Sequence, residues 1–310
     1  MKKLKLGVIG TGKLGQHHAR IYSQMENVDL IGIVDIDEDH AKNIAEKYNT
    51  KYFIDYKELL DKVDAVNIAA PTPLHYEIGK FFLENKVHCF IEKPITVELH
   101  EAEELVDIAH KNNMLLQIGH IERFNSAVIA AHRFLHNPKF IEVNRLGPYD
   151  PRVSQVGVVL DLMIHDLDIV LYLTDSRVTQ VDVVGSKVFS KYEDIANVRL
   201  EFENGCVANI SASRISVSKF RKIRIFQNDS YMSLDYEKQK LKIYKKRKEV
   251  IESMKDIQLL KPRFEKNEPL LLELKDFVRC VERGENPIVN GQHGRNALEL
   301  ALEIVNKIKL

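Results

Sequence analysis

The chain has 310 residues, 45% of them hydrophobic and 29% charged, with zero formal net charge. That is enough chain for one or two domains with a sizeable core. It carries no bulk field for nucleic acid or an anionic membrane, and no apolar run near the ~20 residues that span a bilayer.

The basic start Met1-Lys2-Lys3 precedes an apolar stretch too short for a signal peptide, and that stretch runs straight into a glycine turn. Cys89, Cys206 and Cys280 are odd in number and scattered. They fit no disulfide framework and no zinc site, so a cytoplasmic protein without a metal is expected.

In chain order, the apolar run Leu4 to Ile9 leads into Gly10-Thr11-Gly12-Lys13-Leu14-Gly15. A helical stretch follows, then a strand, Val28 to Val34, ending on Asp35. Strand, glycine turn, helix, strand and acid are the parts of a dinucleotide site. Gly10 makes the tight turn, Gly12 admits a pyrophosphate, and Gly15 lets helix and strand approach. The helix N-terminus offers N–H groups to the anion. Asp35, about 20 residues past Gly15, stands where a carboxylate bonds a ribose 2′-hydroxyl. A helix merely packed tightly by glycines is the alternative.

The next elements keep alternating: a helix over Asp37–Tyr48, a strand over Asp64–Ala69, a stop at Pro71-Thr72-Pro73, and a helix with Thr72 as its cap. Strand Lys86–Ile91 ends at Glu92-Lys93-Pro94, helix Glu98–Lys111 follows, and Met114–Ile118 is strand. Such alternation predicts a doubly wound parallel sheet over residues 1–120.

The pattern changes after Gly119. Helix Asn125–Leu135, strand Lys139–Leu146 and an apolar helix Val158–Leu173 come first. Strands follow near Val178–Phe189, Asn197–Phe202, Cys206–Ser213, Arg221–Phe226, Tyr231–Leu234 and Leu241–Tyr244, with a hairpin at Asn204-Gly205. Alternating polarity predicts an antiparallel sheet with one wet face, to which the basic run Lys238–Lys248 belongs. Helices Pro269–Arg283 and Gly291–Ile308 close an α+β domain spanning 121–310.

Ligands of open α/β sheets sit beyond the carboxyl ends of the strands. Three segments emerge there: the glycine turn, Ala70 to His75, and Glu92-Lys93-Pro94. Lys93, directly after a strand and before a proline, is a candidate catalytic cation, with an ordinary surface lysine as the alternative. His75 is a weaker candidate, and His17 and His18 read as helix-face residues. In the second half, Asp161, His165, Asp168 and Tyr172 are spaced as one polar stripe on an apolar helix. A carboxylate one turn before a histidine orients the ring and stabilises its cation, an arrangement suited to a general base. A buried Asp–His pair that only fixes packing is the alternative.

Together, the fingerprint, Glu92-Lys93-Pro94 and Asp161-x3-His165 resemble the glucose–fructose oxidoreductase/inositol dehydrogenase (Gfo/Idh/MocA) family over essentially the whole chain. The resemblance implies an N-terminal Rossmann domain holding NAD, and a large open, mostly antiparallel sheet that covers the substrate and joins a homodimer or homotetramer. It implies Lys93 at the substrate hydroxyl and the nicotinamide ribose, His165 as acid/base, Asp161 as its helper, and a cis Lys93–Pro94 bond. It places cofactor contacts at Gly10, Thr11, Gly12, Lys13, Leu14, Asp35, Ala70, Thr72, His75, Glu92 and Lys93.

Gly119-His120-Ile121-Glu122-Arg123-Phe124-Asn125, Gly147-Pro148 to Arg152, and Gly157 to Asp166 resemble the branch containing UDP-N-acetylglucosamine 3-dehydrogenases. Ser126 stands where relatives often have proline. This implies oxidation at C3 of a UDP-N-acetyl hexosamine such as UDP-GlcNAc, with Arg123, Asn125 and Arg152 on the substrate. Asp35 and Asp37, with no arginine after them, favour NAD(H) over NADP(H). A dehydrogenase of a free sugar or an inositol-like cyclitol, an NAD-dependent glycosidase, and a non-catalytic dinucleotide-binding regulator are the alternatives.

Overall fold

The computed structural model describes residues 3–150 and 156–309. The chain forms two compact units, Met1–Ile121 with Leu270–Leu298, and Glu122–Pro269 with Glu299–Leu310.

The first unit runs β1 (Leu4–Ile9), α1 (Lys13–Ser23), β2 (Val28–Val34), α2 (Glu38–Lys47), β3 (Lys51–Phe53), β4 (Ala65–Ile68), α3 (His75–Glu84), β5 (His88–Glu92), α4 (Leu99–Lys111) and β6 (Leu116–Gly119). Its six-stranded sheet has the order β3-β2-β1-β4-β5-β6, with every pair parallel. This is the doubly wound Rossmann arrangement. Its switch point lies between β1 and β4, where such sheets open a crevice for ligands. Strand β4 is buried at every position, as a parallel strand covered on both faces must be. Asp37 caps α2 by accepting the His40 N–H at 3.0 Å, and α4 opens on a capping box of Glu98 and Glu101.

Helix α7 (Pro269–Arg283) departs from the expected division at residue 120. Its Leu270, Leu274, Phe277 and Val278 join Leu4, Leu6, Val8 and Phe90 in one core, so burial of its apolar stripe returns it to the first unit.

The second unit holds α5 (Ser126–His132), β7 (Phe140–Leu146), a π-helical turn Val159–Met163 that continues into α6 (Ile164–Thr174), and strands β8 (Val178–Ser186), β9 (Ile195–Phe202), β10 (Val207–Ser213), β11 (Phe220–Phe226), β12 (Ser230–Asp235), β13 (Lys240–Lys246) and β14 (Ile257–Leu260). The chain crosses back to this unit within α8 (Gly291–Lys307). The eight strands are ordered β14-β13-β12-β11-β7-β10-β9-β8. Among the described residues, β7 and β10 pair parallel and their neighbours pair antiparallel.

Helix α5 packs on β12 and β13, and α6 packs on β7. The other side of the sheet carries a row of rings, Phe140, Phe226, Tyr231 and Tyr244, at centroid separations of 5.7, 4.9 and 5.5 Å. Strand β8 stops at Ser186, short of the expected Phe189. The N–H groups of Val188, Phe189 and Ser190 turn inward onto one oxygen of Asp194, at 2.9, 2.7 and 2.9 Å. Strands β3 and β14 are short and carry no alternation that sequence reading could detect. Among the described residues, no helix is long and apolar enough to cross a membrane.

Candidate active site

The glycine turn follows β1 and sits beside Asp35 at the end of β2. Gly10 has a φ of +82°, where a side chain would be strained and would also meet the backbone of Ala69 and Ala70. A Cβ on Gly15 would stand 1.9 Å from the Gly10 carbonyl oxygen, so the helix can lie this close only without one. Gly12, the N-cap of α1, is exposed, and a Cβ there would meet nothing within 4 Å. The first turn of α1 has no side-chain cap and no acid, which leaves its N–H groups for an anion. Lys13 and Leu14 are exposed beside it.

Asp35 Oδ2 accepts the N–H and the hydroxyl of Thr11 at 2.8 and 2.7 Å, and Oδ1 accepts the N–H of Asp37 at 3.2 Å. Burial works to raise its pKa, but the Thr11 and Asp37 donors hold it below the usual carboxylate value. It is therefore an anion at neutral pH, suited to a ribose hydroxyl and repelling a 2′-phosphate. The open space at Gly12, the uncapped helix start and the fixed Asp35 together fit NAD.

Thr72 and His75 follow β4, Glu92 ends β5 and Lys93 follows it. His75 is 1% exposed and lies between two carbonyl oxygens, that of Ala70 at 2.8 Å from Nε2 and that of Pro94 at 2.9 Å from Nδ1. It braces the segments after β4 and β5. Burial lowers its pKa, against the pull of the two carbonyls. Thr72 lies in a 3₁₀ turn, Thr72–Leu74, whose N-cap is Pro71, so its side chain is not the expected cap. Glu92 is buried, with Oε1 3.1 Å from His18 Nε2 and Oε2 accepting the Lys93 N–H at 3.2 Å. Burial raises its pKa, but His18 and the Lys93 charge outweigh it and leave a carboxylate. Glu92 thus holds the Lys93 backbone. Lys93 itself is half-buried, and the Lys93–Pro94 bond is cis.

In the second unit, Asp161 lies in the π-helical turn and His165 in the first turn of α6, both half-buried. Single π turns inside helices are rare and collect at functional sites. The start of this turn is fixed from the β8–β9 loop. The Glu193 carboxylate accepts the Val159 N–H at 3.2 Å, and the Glu193 carbonyl accepts that of Val158 at 2.9 Å. Gly157 lies against this carboxylate, and a Cβ there would make the Glu193 side chain shift. Asp194 anchors the same loop by accepting Arg214 Nε at 2.8 Å.

The lower half of the expected polar stripe is scaffold. Asp168, 1% exposed, takes Arg123 Nε at 2.8 Å and Nη2 at 2.6 Å, and the Arg123 guanidinium lies 4.7 Å from the centre of the Tyr172 ring. Arg123 is therefore an interior counter-ion of Asp168. Asn125, 3% exposed, caps α5 through the Ala127 N–H at 3.1 Å and donates to the Tyr236 carbonyl at 3.0 Å. It too is structural. Arg152 lies outside the described residues.

Two groups escaped sequence reading. Arg145 on β7 is buried between Asp166, at 2.6 and 2.9 Å, and Glu122, at 3.0 Å. Its signal was register: with Ile141 and Val143 it occupies the inward face of β7, where a charge demands partners. His18, expected only as a helix-face residue, is fully buried. Gly15, His18, Ala19 and Tyr22 recur at the spacing of one buried helix face, which was visible in the sequence.

Residues 4–120 match the model of the oxidoreductase family with an NAD-binding Rossmann fold, and residues 126–230 match the GFO/IDH/MocA C-terminal domain. The chain is 33% identical to UDP-N-acetylglucosamine 3-dehydrogenase of Acidithiobacillus ferrooxidans, over 98% of this chain and 97% of that protein. A solved structure of that enzyme superposes with a TM-score of 0.93, at 32% identity, over 99% of this chain and 98% of the other. Myo-inositol 2-dehydrogenase of Thermotoga maritima is 26% identical over 96% of this chain and 94% of its own length. Domain models over both units and full-length likeness to a dehydrogenase agree with the NAD cradle at Gly10–Gly15: the chain belongs to the Gfo/Idh/MocA family of NAD-dependent oxidoreductases acting on CH–OH groups.

Proposed function

We propose that this protein oxidises C3 of a UDP-N-acetyl hexosamine such as UDP-GlcNAc to the ketone. The observation that carries this reading is the 33% identity to a UDP-N-acetylglucosamine 3-dehydrogenase over nearly the full length of both chains. The catalytic assignment is Lys93, Asp161 and His165. His165 takes the proton of the reacting hydroxyl, since imidazole is the side chain matched to proton transfer near neutral pH. Asp161, one turn earlier, orients the ring and stabilises its cation. The Lys93 ammonium bonds the same oxygen and favours negative charge on it. Bound NAD+ supplies the acceptor for the carbon-bound hydrogen and its electron pair.

With Arg123 enclosed against Asp168, Arg152 is the first candidate contact to a substrate diphosphate. NAD(H) is preferred over NADP(H), on the charge of Asp35. We place the reaction in the cytoplasm, in a homodimer or homotetramer joined through the sheet face that carries Phe226 and Tyr231. Light scattering of Tyr231→Lys, with its expected loss of assembly, tests that face.

Incubation with NAD+ and pooled nucleotide sugars, read by mass spectrometry, tests the substrate. The expected product is one UDP-N-acetyl hexosamine lacking two hydrogens. Oxidation of a free sugar or cyclitol instead would move the assignment toward the inositol dehydrogenases. Sugar release without NADH would indicate a glycosidase, and cofactor binding without turnover on any substrate would indicate a regulator.

A further inference from the structure

Asp35 has an imidazole beside it. His40 stands three residues after Asp37, the N-cap of α2, and donates its backbone N–H to the Asp37 side chain. Side chains on a helix lean toward its N-terminus. The half-buried His40 ring is carried back in this way onto the glycine turn, where Nε2 lies 2.8 Å from the Thr11 carbonyl oxygen. Thr11 is fully buried, and its N–H and hydroxyl hold Asp35 Oδ2. One residue of the turn thus places both the acid and the imidazole. The ring is near enough for its charge to act on Asp35, where it favours the ionised carboxylate.

A carbonyl oxygen only accepts, so His40 Nε2 carries a hydrogen. Nδ1 is then the nitrogen that gains or loses a proton. The bond to Thr11 is the same in both forms, so the ring changes charge without leaving its place. Imidazole makes that change between about pH 5 and 8. The elements around the ring also bring Glu38 and Asp39 in the first turn of α2, Lys13 at the start of α1, and Tyr52 of β3, whose hydroxyl donates to Glu38 at 3.3 Å. With Asp35 and Asp37 counted, acids outnumber cations here, so a neutral His40 leaves the ribose position under negative charge.

We propose that His40 is a specificity-determining residue of the cofactor site: as an imidazolium it offsets Asp35 and admits the 2′-phosphate of NADP+, which the neutral ring leaves excluded. The proposal rests on the place given above to Asp35 at the ribose 2′-hydroxyl, and it is independent of which sugar is oxidised. NAD+ affinity changes little between the two forms, because Asp35 stays an anion in both.

One charge a few ångströms from another at a half-exposed site changes affinity by about 10-fold. The 2′-phosphate also takes up a proton near pH 6, so part of any pH dependence belongs to the ligand. That part is common to every variant. In His40→Gln the side chain keeps an N–H for Thr11 but does not titrate, and in His40→Arg it stays charged throughout.

The test measures Kd for NAD+ and NADP+ by calorimetric titration at about pH 5.5 and about pH 8, in the unmutated protein, His40→Gln, His40→Arg and Asp35→Ser. The preference for NAD+ should shrink on acidification by about 10-fold more in the unmutated protein than in His40→Gln, and should already be reduced at the higher pH in His40→Arg. Equal shrinkage in the unmutated protein and His40→Gln, with a preference that does respond to Asp35→Ser, would overturn the inference alone. A preference unmoved by Asp35→Ser would remove the ribose role of Asp35, and the inference with it. Histidine ¹⁵N spectra of the unmutated protein give a readout that does not depend on any variant folding. Linkage is reciprocal, so NADP+ should draw a proton onto His40 Nδ1 that NAD+ does not. Identical His40 titrations in the two complexes would also overturn it.

Discussion

Asp35 in the first unit and Asp168 in the second are both carboxylates with two-point partners, yet they do different work. Asp35 is held by the N–H and hydroxyl of Thr11, inside one βαβ unit, and stays half-buried at a strand end. Its partner is local, so the turn that places the acid also leaves it facing the cofactor crevice. Asp168 is held by the guanidinium of Arg123, 45 residues away, and is closed off from solvent. Backbone grammar builds the nucleotide half. Long-range pairing of charges builds the other half, and it encloses Asp168 at the far end of the stripe that begins at Asp161.

The sharpest way to break this contrast lies at the His165 end of α6. His165→Ala should lower turnover by about 10² to 10⁴ while NADH binding, followed by its fluorescence, persists. Near-normal turnover would leave the whole stripe structural. At the closed end, Asp168→Ala strands the Arg123 charge and should cost about 3–5 kcal/mol in denaturant unfolding. An Arg123→Met, Asp168→Leu pair should recover much of that loss, because no unpaired charge remains. If Asp168→Ala instead unfolds like the parent and loses substrate affinity, Arg123 belongs to the site after all.

In the nucleotide half, Asp35→Ser should weaken NAD+ binding by about 10-fold and narrow the preference over NADP+, measured by cofactor titration. An unchanged preference would detach Asp35 from the ribose. Glu193→Ala removes the acceptor for the Val159 N–H and should cost about 1 kcal/mol, with a larger relative loss in kcat than in NAD+ affinity.

Asp194 gives the smallest and most pH-dependent effect. Burial raises its pKa, but the N–H groups of the 188–190 turn and Arg214 hold it well below the ordinary carboxylate value. A depressed folded-state pKa contributes stability that is complete above the unfolded value of about 3.9 and is lost as pH falls through the folded one. Asp194→Asn should therefore lower stability at neutral pH and flatten its acid dependence below about pH 4, in melts across that range. A parallel acid dependence in both proteins would remove Asp194 as a contributor.

The strand–helix alternation, the glycine turn and Asp35 were legible because each is dictated within a few residues. Gly10 needs its φ, Gly15 needs its missing Cβ, and a capped helix must start where Asp37 stands. Lys93, Asp161 and His165 were legible as candidates for a similar reason: their positions follow from strand ends and helix period. Arg123, Asn125, Glu92 and His75 have interior partners that the sequence did not show, because polarity alone does not tell a ligand-facing group from a buried one with a partner. A partner can lie far away in sequence, 19 residues for His75 with Pro94 and 111 for Asn125 with Tyr236. Likewise, helix α7 reads as an ordinary amphipathic helix, and nothing in its own residues names the core it joins.

Local stereochemistry and periodicity, then, were enough for the sequence by itself to determine a Rossmann half, a strand-rich half and the short list of groups that could do chemistry. Only the tertiary structure decided which of those groups are consumed by one another. An unpaired charge in the interior is too costly to leave, and the partner that satisfies it is chosen by the fold and not by the neighbouring sequence.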